Sequence, residues 1–265
     1  LGSAEAAGLT PLCFPAPSLT NSKRGDENDS AFISPEAALR VEKAGAGVTN
    51  QKSEAAVYQL KVSIDGAQPP LWRRVLVPAD TTLGELHRVI QALMGWHDNH
   101  LHEFEAPRPG DTGSLTRRSR WDYRLFRSGT DPSGEPLDWI MDDRQEDEDT
   151  AVLADVAPCE KSHFAYIYDM GDHWEHKVTV EKILSAVPGA AYPVCLKGKR
   201  NGPVEDCGGV WGYEEMQEIL ADPAHPEHQD RKDWLEEVYG VSEWDGAAFD
   251  LAAVNDRLKK LRRSG

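Results

Sequence analysis

Three short segments hold the residues best suited to chemistry. The first reads His97-Asp98-Asn99-His100-Leu101-His102. On an extended strand, side chains two apart point the same way. His100 and His102 would then present their imidazoles together, a geometry that suits a transition metal. The same spacing fits the polar face of an ordinary strand whose histidines bond nearby carboxylates. The second segment runs Tyr168-Asp169-Met170-Gly171-Asp172-His173-Trp174-Glu175-His176. Gly171 is suited to a positive φ in a tight turn, which would crowd Asp169, Asp172 and His173, with His176 just beyond Trp174. Such a gathering can hold a metal or act as acid and base. The plainer reading, preferred from the residues alone, is an Asp-Gly-Asp turn whose carboxylates accept backbone N–H groups while Trp174 is buried.

The third segment sets Cys195 against Glu205-Asp206-Cys207-Gly208-Gly209. Eleven residues separate the two cysteines. A structural zinc site usually needs two closely spaced ligand pairs, so this zinc signal is weak. Glu205 and Asp206 add oxygen ligands, and the glycines read as a turn before Trp211. A divalent metal ion is the one cofactor these residues suggest, with His100, His102, Asp172, His176 and Cys207 as its candidate ligands. Other chemistries lack their signatures: no phosphate-binding P-loop, no GxGxxG after a strand, no GxSxG elbow and no HExxH. Two basic groups could meet nucleic acid. Arg117, Arg118 and Arg120 lie in a Pro/Gly/Arg-rich loop, and Lys259, Lys260, Arg262 and Arg263 end the last helix. Cations at a helix C-terminus also complement its dipole, which is the preferred reading there.

The elements that must position these residues begin at Tyr58. Tyr58, Leu60, Val62 and Ile64 alternate with polar residues, the period of a half-buried strand. Asp65-Gly66 and Pro69-Pro70 mark a connection, and Leu71–Val77 reads as a returning strand. Thr82 with Glu85 three residues on predicts a capping box, Leu83, Leu86, Ile90 and Leu93 follow at helical spacing, and Gly95 closes the helix. This strand, strand, helix order resembles the opening of a β-grasp fold. Short strands are predicted over His100–Glu105 and Trp121–Phe126, and a hairpin over Phe164–Asp169 and Trp174–Glu181. Residues 187–210 read as a Pro/Gly-rich connection, and 142–149 as a solvated acidic loop. Three helices are predicted to finish the chain, the last capped by Asp250 with Leu251, Val254, Leu258 and Leu261 on one face. The expected fold class is α+β, with a mixed or mainly antiparallel sheet and C-terminal helices. Residues 1–56 are expected to form a disordered leader and 57–263 a single domain.

Composition narrows the function classes. The 265 residues carry 29 Lys+Arg and 45 Asp+Glu, a formal net charge of −16. That field repels a polyanion and so argues against a broad nucleic-acid-sequestering surface, though not against a local basic patch. Much of the excess sits in residues 131–160, with eleven acids against one base. No apolar run approaches the roughly 18 residues that a membrane helix needs. Neither a signal peptide nor a disulfide framework is evident, so cytoplasmic placement is expected.

The stretches "PPLWRRVLVP", "TLGELHRVIQALMGW", "HLHEF", "YIYDMGDHWEHKVTVEKIL", "YPVCLKGKR", "EDCGGVWGYEEM", "DPAHPEH" and "FDLAAVNDRL" occur in this order. Together they resemble the plasmid pRiA ORF-three-like family over roughly residues 57–261. The resemblance implies a compact α+β protein without an established activity. Some members carry resolvase-type (TnpR-like) transposon names. A serine resolvase needs a nucleophilic serine among arginines and a basic DNA-reading helical domain, and neither pattern occurs here. The family often has Ala-Cys-Pro-Pro where this chain has Asn201-Gly202-Pro203-Val204, so an obligatory cysteine-rich zinc site is not expected. The matching motif residues His100, His102, Asp169, Asp172, His176, Glu205, Asp206 and Cys207 are candidates for one shared cluster. The leading expectation is a non-catalytic, cytoplasmic binding or accessory protein of bacterial mobile-element origin. The alternatives are a metal-dependent hydrolase or nuclease built on the same His/Asp residues, and a nucleic-acid-binding protein.

Overall fold

A computed structural model describes residues 56–108, 123–137, 145–241 and 243–264. The expected leader, apart from Ala56, and Arg117, Arg118 and Arg120 lie outside the described residues. In chain order the elements are β1 (Ala56–Ile64), β2 (Trp72–Pro78), α1 (Leu83–Met94), β3 (His102–Pro107), β4 (Tyr123–Arg127) and β5 (Gln145–Asp147). There follow α2 (Leu153–Val156), β6 (His163–Tyr168), β7 (Trp174–Ser185), β8 (Val194–Lys199), α3 (Gly209–Ala221), α4 (His228–Tyr239) and α5 (Leu251–Ser264). The strands form one eight-stranded sheet in the order β5-β4-β3-β6-β7-β1-β2-β8. Its neighbours run antiparallel except β4 and β5, which are parallel. The α+β class, the strand, strand, helix opening and the C-terminal helices are as the sequence predicts.

Alternation explains which face carries the core. Tyr58, Leu60, Val62 and Ile64 of β1, Phe164, Tyr166 and Tyr168 of β6, and Trp174, Val178 and Val180 of β7 are buried in one cluster with Leu83, Leu86, Ile90 and Leu93 of α1. Val254 and Leu258 of α5 join them. Among the described residues, the opposite face carries a small cluster around Val57, Leu76 and Val194. The α1 capping box forms in full: Thr82 Oγ1 accepts from the Glu85 N–H at 3.1 Å, and Glu85 accepts from the Thr82 N–H at 2.9 Å. Gly95 closes that helix with φ +89°, a region where only glycine is unstrained. Asp250 caps α5 by accepting from the Ala253 N–H at 2.9 Å.

Buried polar side chains tie the helices to the sheet. Arg73 of β2 is almost wholly enclosed, yet its donors reach the carbonyls of Leu93 (3.1 Å), Trp72 (3.0 Å) and Lys199 (3.0 Å). Asn255 of α5 exchanges two hydrogen bonds with the Cys195 backbone of β8, at 2.9 and 3.0 Å.

Two elements depart from expectation. The 187–210 connection contains strand β8, whose Val194 and Cys195 are buried although Pro193 and Gly198 flank the strand's core. Of the acidic run 142–149, residues 142–144 lie outside the described residues, and the rest is not a solvated loop throughout. Gln145–Asp147 forms β5, Glu146 takes the Arg124 guanidinium in a two-pronged pair (2.7 and 2.5 Å), and Glu148 is buried. At the basic C-terminal end, Lys259 pairs with Asp256 at 2.7 Å and Arg262 is half-buried. No helix among the described residues is long and apolar enough to cross a membrane.

Candidate functional site

One end of the sheet gathers the candidate residues. There β3 begins, β6 turns into β7, and the loop before α3 returns; His102 of β3 lies opposite Tyr168 of β6, which lies opposite Trp174 of β7. The residues after α1 close the region from above. Trp96 stacks on Tyr168 with ring centroids 4.8 Å apart and donates its indole N–H to the Pro203 carbonyl at 2.9 Å.

A closed circuit of hydrogen bonds fixes the first histidine group. The Asp98 N–H donates to Gln91 Oε1 (3.1 Å), so Gln91 Nε2 is the amide donor to the Tyr166 hydroxyl (3.0 Å). The hydroxyl proton then points to His87 Nδ1 (2.8 Å), leaving His87 Nε2–H to donate to Asp98 Oδ1 (2.8 Å). His87 is thus a neutral imidazole. Burial holds its pKa below the usual histidine range, opposed by the Asp98 carboxylate. Protonation would force the Tyr166 hydroxyl to find a new acceptor inside the core. The His87 ring lies flat on that of His102, with centroids 3.5 Å apart and planes 5° apart, and His102 Nε2 is 2.8 Å from Glu148 Oε2.

His87, Asp98 and His102 bring ligand atoms within 4.8 Å of one another, but ring geometry argues against a chelate. A metal bonds an imidazole nitrogen in the plane of its ring. Two parallel rings 3.5 Å apart cannot both place one ion in their planes. Both Nε2 atoms already face carboxylates.

The second group is His100, Asp169 and Asp206. His100 is not on a strand: the extended backbone starts at His102, and Asp98 has φ +60°. The expected His100/His102 pair of ligands is therefore split between two groups. His100 Nε2 lies 3.2 Å from Asp206 Oδ1 and 3.8 Å from Asp169 Oδ2. Asp169 Oδ1 accepts from the backbone N–H groups of Gly171 (2.8 Å) and Asp172 (3.3 Å), which is the turn preferred from the sequence. The positive φ values fall on Asp169 (+57°) and His173 (+54°), and Gly171 is not among the positive-φ glycines. The turn's strain is thus carried by its flanks, where the Asp169 side chain bonds its own backbone.

The remaining candidates have structural posts. Asp172 Oδ2 accepts from the Gly208 N–H at 3.0 Å and so anchors the start of α3. His176 is fully enclosed, its Nδ1 set between the carbonyls of Trp174 (2.9 Å) and Tyr166 (3.2 Å); burial pushes its pKa down to about 4. Glu205 is buried as well. It accepts the Tyr168 hydroxyl at 2.5 Å and the His97 N–H at 3.0 Å, and so clamps the His97–His100 loop to the loop bearing Asp206. Cys207 belongs to the apolar core, where burial pushes its thiol up to about 12, so it stays protonated and is a poor ligand. Among the described residues, Asp172, His176, Glu205 and Cys207 enter neither group with converging ligand atoms. At Gly202 a Cβ would lie 1.9 Å from the Met94 carbonyl oxygen, so a larger residue there needs the backbone to shift.

Sequence reasoning passed over His87, Gln91, Tyr166 and Glu148. For His87 a signal existed. It lies four residues after Leu83 and three before Ile90, inside the buried stripe of α1. Glu148 carried no comparable signal.

A cavity of about 680 Å³ opens beside the stacked histidines, lined by His87, Asp98, His100, His102, Glu148 and Asp149 among others.

The fold and site define an α+β protein with one mainly antiparallel sheet and a histidine- and carboxylate-lined cavity at the sheet's end. The chain belongs to the family of plasmid pRiA4b ORF-3-like proteins, which it matches over residues 56–253. It is 36% identical over 207 residues to the uncharacterized protein y4hQ of Sinorhizobium fredii (strain NBRC 101917 / NGR234), covering 78% of this chain and 93% of that protein. It is also similar to the crystal structure of MM3350, a protein of unknown function from Methanosarcina mazei Go1. That similarity has a TM-score of 0.61 and 38% identity, and covers 75% of this chain and 97% of that one.

Proposed function

We propose that this protein is a non-catalytic, cytoplasmic binding or accessory protein of bacterial mobile-element origin, and that it takes a small cationic molecule in the cavity beside the His87–His102 stack. The charge of the cavity wall carries this reading. Asp98, Asp131, Glu148 and Asp149 line it against Arg88 and Arg127, and the Arg127 guanidinium is already engaged by the Glu103 carboxylate. With His87 neutral, Asp98 keeps its negative charge facing the cavity. Carboxylates in a concave, partly desolvated wall focus a field that draws cations. The plasmid in the family's description supports the mobile-element origin. The free thiols Cys159, Cys195 and Cys207 fit a reducing compartment.

Calorimetry in the presence of chelator, with agmatine, putrescine and spermidine as probes and glutarate as the anionic control, tests the reading. At least one amine should bind, and Asp149→Asn should weaken it by about tenfold. Absence of amine binding at about 1 mM, or equal binding of glutarate, would overturn it.

A further inference from the structure

We infer that His100 Nε2, Asp169 Oδ2 and Asp206 Oδ1 form a binding site for one divalent transition-metal ion of the zinc or manganese class. This site adjoins the cavity of the cationic-ligand reading, since His100 lines that cavity, but neither aspartate does. Three observations converge. First, His100 Nε2 is buried and has no hydrogen-bond partner, although two carboxylate oxygens lie 3.2 and 3.8 Å away. Neither contact makes a hydrogen bond. A buried ring nitrogen without a partner is costly, and an ion set among the three atoms would remove that cost.

Second, the spacing suits an ion. Two ligands about 2.1 Å from a tetrahedral centre lie about 3.4 Å apart. The two distances from His100 Nε2 bracket this value, and all three ligand atoms lie within 4.8 Å of one another. Third, the Asp169 carboxylate is held by its other oxygen. Asp169 Oδ1 accepts two backbone N–H groups, and Asp206 Oδ2 is 3.4 Å from the Tyr239 hydroxyl. Both aspartates adopt left-handed backbone, with φ +57° and +58°. Outer contacts of this kind aim a ligand oxygen before the ion arrives. The His100 ring is braced edge-on against Tyr168, with centroids 5.7 Å apart.

One imidazole with two carboxylates favours zinc, manganese or ferrous ions over soft cuprous ion. Three protein ligands leave at least one coordination position open. The Asp206 side chain is 58% exposed, so that position faces solvent.

Equilibrium dialysis of the chelator-stripped full chain against zinc or manganese, followed by elemental analysis, is the test. The wild type should retain about one equivalent of one of these ions. Asp206→Asn and His100→Ala should each lower its affinity by about tenfold or more. Asparagine tolerates left-handed backbone, so the Asp206 variant keeps the loop. His102→Ala should retain the ion. Absence of binding by the wild type overturns the inference. So does an ion that survives Asp206→Asn and is lost in His102→Ala, which would place it beside the stacked pair. The amine titrations run in chelator, so failure of either proposal is seen independently of the other.

Discussion

His100 and His102 are two residues apart, yet they meet opposite circumstances. His102 lies flat against His87 and faces Glu148, within a network where each ring nitrogen of His87 is matched. His100 stands at the edge with a ring nitrogen that makes no hydrogen bond, between two carboxylates of which Asp169 is held from behind. The first group is closed and holds itself together. The second is open and lacks a centre. Satisfied polar networks give rigidity, whereas converging unsatisfied atoms give a place to bind. A histidine count from sequence cannot tell the two apart.

The difference can be broken most strongly at the closed group. His87→Ala removes a buried ring, strips partners from Tyr166 and Asp98, and leaves His102 without its stack. Urea denaturation in chelator should show a loss of about 4 kcal/mol. A loss under about 1 kcal/mol would mean the circuit contributes little.

Acid should act on the same side. His176 has a folded pKa of about 4, below the ordinary 6.5, and burial shifts His87 in the same direction. Neutral buried histidines stabilise the fold fully above pH 6.5. That contribution is lost as pH falls from 6.5 towards 4, because the unfolded chain takes up the protons first. For His176 the loss amounts to about 3 kcal/mol at most. Denaturation midpoints measured across this window should show the slope, and His176→Phe should flatten it. An unchanged slope in that variant would remove His176 as its source.

The smallest effect is expected at the open group. Asp206 is solvent-exposed, so Asp206→Asn in chelator should shift stability by no more than about 0.5 kcal/mol. A thermal-melt comparison giving a drop above about 2 kcal/mol would show that the open group is structural too.

Much of the frame was legible in the residues. The alternation from Tyr58 to Ile64, the Thr82/Glu85 box and the Asp250 cap are local devices, and all three form. The gathering of His100, Asp169 and Asp206 was partly legible, since all three were candidates for one cluster. Glu148 was not. It sits among acids that read as solvated, and its burial follows from the distant imidazole of His102. Glu205 shows the same limit. Its sequence neighbours suggest a ligand, whereas Tyr168 and His97 make it a clamp. Local pattern registers periodicity and caps; partners brought by the sheet from far along the chain leave no mark beside the residue.

The place of β1 in the sheet bears on how the chain is made. β1 is the first strand of the described region, yet it lies inside the sheet, and Ala56 pairs with Ser185 on β7. The β1–β2 hairpin and α1 can form as soon as they leave the ribosome. The other edge of β1 must wait for β7, on the order of ten seconds at ordinary rates of synthesis. During that wait an apolar strand offers its free backbone groups to any passing chain. A nascent chain stalled before Trp174 therefore keeps that edge of β1 unpaired, and the hazard ends when β7 docks.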